Sequence, residues 1–139
     1  MQIREINSLL FILHDAIFVG LEDNIKTNSS KLTFLLEDEQ TTINILLSGI
    51  NSSRCIDWKF ANIVLDASVY SNTNNIERLI ELICHIEELT EIQIQNNVYS
   101  NLLNDIVNQN KYIFEINPSY GAYFTAIVQD LQIVKPKVE

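Results

Sequence analysis

A histidine beside an aspartate is the pairing in this chain with the most chemical potential, and it occurs at His14-Asp15. Metal-dependent phosphohydrolases build such a pair into a metal centre, but they add several further histidines, and here the other histidine is His85 alone. A metal hydrolase therefore fails on ligand count. The pair is read instead as hydrogen-bonding the backbone where the first strand begins, worth about 1 kcal/mol per bond. His85 follows Glu81 by one helical turn and precedes Glu88 by another, so the three share a helix face. One nitrogen donor with two carboxylates is a poor divalent-cation site, and the trio reads as a solvated face. Asp57 and Asp66 fall in strands, and nothing in the sequence pairs them for acid–base work. Cys55 and Cys84 lack metal or redox spacing and read as buried, reduced thiols. There is no GxGxxG, Walker or GxSxG motif, and 3 glycines could hardly build a phosphate cradle. No catalytic residue, metal ligand or cofactor is expected, and the chain is not read as an enzyme.

The elements that would position these residues come mostly from a period of two. Ala16–Leu21, Leu32–Leu36, Ile43–Ser48, Cys55–Phe60 and Ile63–Tyr70 read as short strands joined by polar turns, which suggests a meander. In the last of these, Ile63, Leu65, Ala67 and Val69 are expected on one face, with Asp66 and Ser68 on the other. The period then changes. Ile76, Leu79, Ile80, Ile83, Ile86 and Leu89 recur at helical spacing, with Ser71-Asn72-Thr73 as the N-cap and Asn74–Leu89 as the helix. Glu91–Gln95 alternates and reads as a strand, and Val98–Val107 as a short helix. Tyr112–Ile116, a turn at Asn117-Pro118-Ser119-Tyr120-Gly121, and Ala122–Val134 form a closing hairpin. The fold class is α+β: an antiparallel β-sheet meander with one main amphipathic helix packed on it and a C-terminal β-hairpin.

With 139 residues, 47% hydrophobic and 19% charged, the chain fits a single domain, 1–139, large enough to bury a core. The apolar stretch Leu9–Leu13 is cut by His14-Asp15 and has no basic flank, which disfavours a signal peptide. No apolar run reaches membrane-spanning length. Eighteen acidic residues against nine basic give a net charge of -9, which repels nucleic acid and anionic membranes and attracts basic surfaces. Glu77, Glu81 and Glu88 should stand exposed, opposite the Ile76–Ile80–Ile83 side of the helix. Glu37, Asp38 and Glu39 form a second acidic cluster on a turn free to move toward a partner.

The order of these segments resembles a group of small immunity proteins from bacterial polymorphic-toxin and contact-dependent growth inhibition systems. The residues that carry it are His14-Asp15-Ala16, Leu32-Thr33-Phe34, Ile45-Leu46-Leu47-Ser48-Gly49-Ile50 and, after Trp58, Asn62-Ile63-Val64-Leu65-Asp66. Late in the chain, Tyr112-Ile113-Phe114-Glu115-Ile116 leads through Pro118-Ser119-Tyr120-Gly121 into a final strand. The resemblance implies a cytoplasmic, non-enzymatic inhibitor that binds the C-terminal domain of one cognate toxin, and many such toxins are nucleases with basic clefts. A monomer or weak dimer is expected. From a different class, a domain with many short strands could be an adaptor or structural subunit that self-associates through an open sheet edge.

Overall fold

The computed structural model describes residues 2–71, 75–95 and 97–134. Helix α1 (Ile3–Leu10) runs into a 3-10 turn (Phe11–Leu13), then come strands β1 (Ile17–Asn24), β2 (Ser29–Leu35), β3 (Thr42–Ser48), β4 (Ser52–Ile56) and β5 (Asn62–Tyr70). Helices α2 (Ile76–Glu87), α3 (Glu91–Gln95) and α4 (Asn97–Val107) follow, and β6 (Tyr112–Tyr120), β7 (Tyr123–Val128) and β8 (Asp130–Val134) close the order. The class is α+β, with one 8-stranded antiparallel sheet ordered β4-β7-β6-β5-β1-β2-β3-β8. Among the described residues no helix is long and apolar enough to cross a membrane.

The sheet is open but strongly curled, and chain length demands it. Strands β7 and β8 lie six places apart in the sheet, about 29 Å if it were flat, yet Gln129 alone joins them and one residue spans about 3.5 Å. The ends must therefore meet. They do so because β3 and β4 face β8 and β7 as one bent ladder, in register from Asn44↔Val134 to Ser48↔Asp130 and again from Ser52↔Ile127 to Ile56↔Tyr123. Between those stretches Gly49, Ile50 and Asn51 oppose Val128 and Gln129, a bulge. Gly49 takes φ +61, where an added Cβ would lie 2.6 Å from the Gln129 Cβ. The Gln129 N–H donates to both the Ser48 and Gly49 carbonyls, each at 3.1 Å.

Phe18, Phe34, Phe114, Phe124, Ile45 and Leu47 fill the concave side. Phe18 stacks on Phe34 with centroids 4.9 Å apart and meets Phe124 edge-on at 6.1 Å. Helix α1 and the 3-10 turn add Leu10 and Leu13 to this core. On the convex side α2–α4 bury Leu79, Leu82, Ile83, Ile86, Ile94, Leu102 and Ile106 against Ile113 and Ile127. Strands β6 and β7 are thus buried on both faces, which is why their sequence does not alternate cleanly.

Several expectations need correcting. Only β1, β2 and β3 form a meander; β4 pairs with β7, and β5 with β1 and β6. Among the described residues α2 is the expected main helix and α4 matches the short helix expected at Val98–Val107, while α1 and α3 are additional. The segment Glu91–Gln95 is helical, because Thr90 and Gln93 form a reciprocal capping box: Thr90 N–H donates to Gln93 Oε1 at 2.9 Å and Gln93 N–H to Thr90 Oγ1 at 3.3 Å. Of the expected N-cap for α2, Asn72 and Thr73 lie outside the described residues, as does Asn74. Ser71 instead donates to the Ile106 carbonyl at 2.5 Å, and Asn75 caps α2 by accepting from Arg78 N–H at 3.1 Å. Strand β4 stops at Ile56, before Asp57–Phe60. A bulge between Val64 and Asp66 shifts the phase of β5, so Val64, Ala67 and Val69 are buried while Leu65 is 47% exposed. The closing hairpin exists as β6–β7, but Asn117–Tyr120 still belong to β6, the turn lies at Gly121-Ala122, and the long final strand divides at Gln129.

Candidate functional site

Asn75 starts α2 and Glu88 ends it in the left-handed conformation, φ 54. The apolar stripe facing the sheet is Leu79-Leu82-Ile83-Ile86, one step round from the expected Ile76–Ile80–Ile83 side, and Ile76 is 49% exposed. Glu77 and Glu81 are exposed on the helix; Glu88 is exposed too, but just beyond its last turn. Two of the three carboxylates are matched internally. Glu81 lies 3.4 Å from Arg78, and Glu88 3.5 Å from Arg54 on β4. The face of α2 is consequently less acidic than its sequence.

Beneath α2 sits a group the sequence reading passed over. Glu115 on β6 is fully buried, 3.0 Å from Arg78 Nη2 and accepting from Tyr70 Oη at 3.0 Å, Asn117 Nδ2 at 3.3 Å and the Tyr123 hydroxyl. A carboxylate has about four acceptor sites, and four donors occupy them. Burial, reinforced by the adjacent carboxylate, pushes both tyrosine hydroxyls above their ordinary range. Glu115 is therefore a clamp tying α2 to the sheet, with no lone pair left for a substrate. A glutamate within the run Tyr112-Ile113-Phe114-Glu115-Ile116, apolar on both faces, is the signal that could have found it.

His85 is not on a solvated face. It is half-buried against Tyr123, with ring centroids 5.1 Å apart, and Arg54 Nη1 lies 3.2 Å from its Nδ1 and donates to its carbonyl at 2.8 Å. Burial and then Arg54 hold its imidazole below the usual range. Asp57 and Asp66 do not come together as a pair: both are exposed, and Asp57 lies past the end of β4. Cys55 and Cys84 are free and half-buried, and burial pushes both thiols up, which keeps them protonated. Among the described residues no group of three or more His, Cys, Asp or Glu side chains could hold a metal ion.

The second acidic cluster, on the β2–β3 turn, is tied rather than free. Asp38 accepts from Gln40 N–H at 2.9 Å, Thr41 N–H at 2.7 Å and the Thr41 hydroxyl, bonds that hold its carboxyl below the usual range. Glu37 and Glu39 remain exposed, with Glu39 at φ 58. Glu37 belongs to a different neighbourhood from the α2 acids, because its charge acts on His14. The His14 Nδ1 donates to the Leu65 carbonyl at 2.7 Å, and its Nε2 lies 3.5 Å from Asp15. The Leu65 carbonyl, then Asp15, with Glu37 and Asp66 behind, raise its pKa above the usual value.

His14 and Asp66 border an open cavity of about 570 Å³ between α1 and β5, floored by Leu10, Phe11, Leu65 and Ala67. Among the described residues no lysine or arginine pairs with Asp15, Glu37 or Asp66. A smaller cavity of about 360 Å³ lies where β1, β2, β3 and β8 meet, and there Lys31 sits 3.7 Å from Glu22.

Comparison of the chain with family models, with curated proteins and with solved structures finds no match in any of the three.

Proposed function

We propose that this chain is a cytoplasmic immunity protein, without enzymatic activity or cofactor, that neutralises a cognate toxin domain by laying a carboxylate-rich surface over a basic one. A nuclease with a basic substrate cleft is the partner this chemistry suits. The observation that carries the reading is the distribution of charge: Asp15, Glu37, Glu39, Asp66 and Glu77 are exposed without a lysine or arginine pair among the described residues, whereas the buried carboxylate is saturated with donors. Opposed potentials speed encounter and make it sensitive to salt.

The test is direct binding of the purified chain to the toxic domain encoded immediately upstream, with protection of cells expressing that domain. Absence of both binding and protection removes the reading. Reversing Glu77, Glu81 and Glu88 to Lys is expected to leave the fold intact and slow association in stopped flow. Because Glu81 and Glu88 already face Arg78 and Arg54, Glu77→Lys or Glu37→Lys alone should slow it more than either of those singly. The differences should fade toward 1 M salt, where the screening length is about 3 Å. Association unchanged by all of these at low salt would move the contact surface elsewhere.

A self-associating adaptor is the second reading, motivated by β4 and β8, each paired on one side only. Both are five-residue strands, a length that limits edge-to-edge pairing. Light scattering that shows a monomer at high concentration would rule it out.

A further inference from the structure

Strand β5 has an edge that its neighbours cover only in part. Strand β1 pairs with it at Ile17↔Ile63 and Phe18↔Asn62. The residues just before β1 carry the backbone pairing to Val64, whose carbonyl accepts from Asp15 N–H and whose N–H donates to the Ala16 carbonyl, each at 2.9 Å. Beyond that point side chains take over the pairing. His14 Nδ1 donates to the Leu65 carbonyl, and the Asn7 amide binds both backbone groups of Val69, donating to its carbonyl at 3.1 Å and accepting from its N–H at 2.7 Å. In an antiparallel ladder, alternate residues turn their N–H and C=O to the same side. Ala67 therefore directs its backbone pair the way Val69 does, away from β6 and toward the α1–β5 cavity. Beside it stand Phe11, 83% exposed, and Leu65, with Asp15, Glu37 and Asp66 around His14. A strand position that no strand occupies, an apolar floor and a rim on which Asp66 has no lysine or arginine pair among the described residues coincide there, with Asp15 beside it against His14. Each favours a different part of one ligand.

We propose that this groove receives an extended segment of a basic protein partner: one residue pairs its backbone with Ala67, an apolar side chain covers Phe11 and Leu65, and a neighbouring arginine meets Asp66 and Asp15. Addition of a strand to an exposed sheet edge supplies affinity through the main chain and specificity through alternate side chains. Arginine suits the site better than lysine, since its planar guanidinium stacks on an aromatic ring and grips carboxylates in pairs. The proposal rests on the reading that the chain binds a basic protein, and it places a close contact on the α1–β5 side in addition to the steering carboxylates Glu37 and Glu77.

The test is NMR on the full chain, titrated separately with acetyl-Val-Arg-Val-amide and acetyl-Val-Glu-Val-amide. The arginine peptide is expected to give saturable shifts centred on Phe11, Leu65 and Ala67, with a dissociation constant of about 1 mM and at least about fivefold tighter than the glutamate peptide. Phe11→Ser, at an exposed position, should abolish the shifts. Equal shifts from both peptides, or shifts scattered over the surface, overturn the proposal. Shifts at these amides that depend on protein concentration alone would make a second copy of the chain the occupant, and would overturn it too. Against the upstream-encoded domain, Phe11→Ser and Asp66→Asn should each weaken binding at least about tenfold. If that domain binds, yet neither variant weakens it and the peptide does not saturate, the groove fails while the immunity reading stands. If no such domain binds, the reading fails, and the peptide titration still decides what the groove captures.

Discussion

Asn62 shows how one side chain joins segments that the sequence presents separately. Its Oδ1 accepts from Lys59 N–H at 2.7 Å and Ala122 N–H at 2.9 Å, and its Nδ2 donates to the Phe18 and Lys59 carbonyls at 3.1 and 3.0 Å. Gly121, at φ +85, leaves room for that amide, which an added Cβ would strike. Asn62-Ile63-Val64 and Pro118-Ser119-Tyr120-Gly121 were visible as separate strand-and-turn segments; that they meet was not, because no period records a side-chain contact across sixty residues. The two histidines behave in the same way. Their neighbours in sequence were legible, their charge environments were not. His85 has its pKa lowered, so the unfolded chain binds more protons below about pH 6.5, and its contribution to stability is lost as pH falls through the folded pKa. His14 has its pKa raised, so its contribution is full below about pH 6.5 and is lost as pH rises through the folded value. An NMR titration should place His85 below and His14 above about 6.5. His85→Gln should flatten the loss of urea resistance on acidification, and an order reversed between the two rings would contradict this account.

At the scale of elements, period served where it was long and misled where it was short. Helix α2 follows a pattern of six apolar positions and strands β2 and β3 patterns of three, and the structure keeps them. Five alternating residues, Glu91–Gln95, form a helix because the Thr90–Gln93 box satisfies its first N–H groups. In β5 a bulge of one residue reversed the faces after Val64, a shift alternation cannot announce. The exposure of Glu77, Glu81 and Glu88 was legible from the sequence, and so was the spacing of Glu81 from Arg78 on the same helix, whereas the pairing of Glu88 depended on Arg54, a strand away. The C-terminus of α2 offers an element-scale prediction. Glu88 holds φ 54, a conformation that favours glycine, and its ion pair with Arg54 is exposed. Glu88→Gly should raise stability by about 0.5–1 kcal/mol, seen as a higher urea midpoint at unchanged m-value. A lower midpoint would mean that the Arg54 pair outweighs the backbone relief.

For the whole molecule, curvature is the property that local patterns left out. Strands were recognisable one at a time, but the partners of β4 and β8 come from pairings across most of the chain. Where the ends of the sheet meet, Gly49 lets the β3–β4 strand bend while keeping contact with the β7–β8 strand. Gly49→Ala would put a Cβ into the Gln129 side chain in a backbone conformation that already disfavours it. A loss of about 1–3 kcal/mol is expected by chemical denaturation. Faster amide exchange should accompany it at Asn51 and Gln129, the two N–H groups that bind across the bend. An unchanged exchange rate at both would show that the bend does not depend on glycine.

That seam also sets a timetable. The residues that pair β3 with β8 leave the ribosome 82 to 90 positions apart, an interval of about 4–18 s at 5–20 residues per second. Until β8 emerges, β3 carries Ile43, Ile45 and Leu47 beside an unpaired edge, and a neighbouring nascent chain is the nearest alternative partner. Yield in a cell then depends on how crowded translation is, and slowing initiation should recover more native protein than any stabilising substitution.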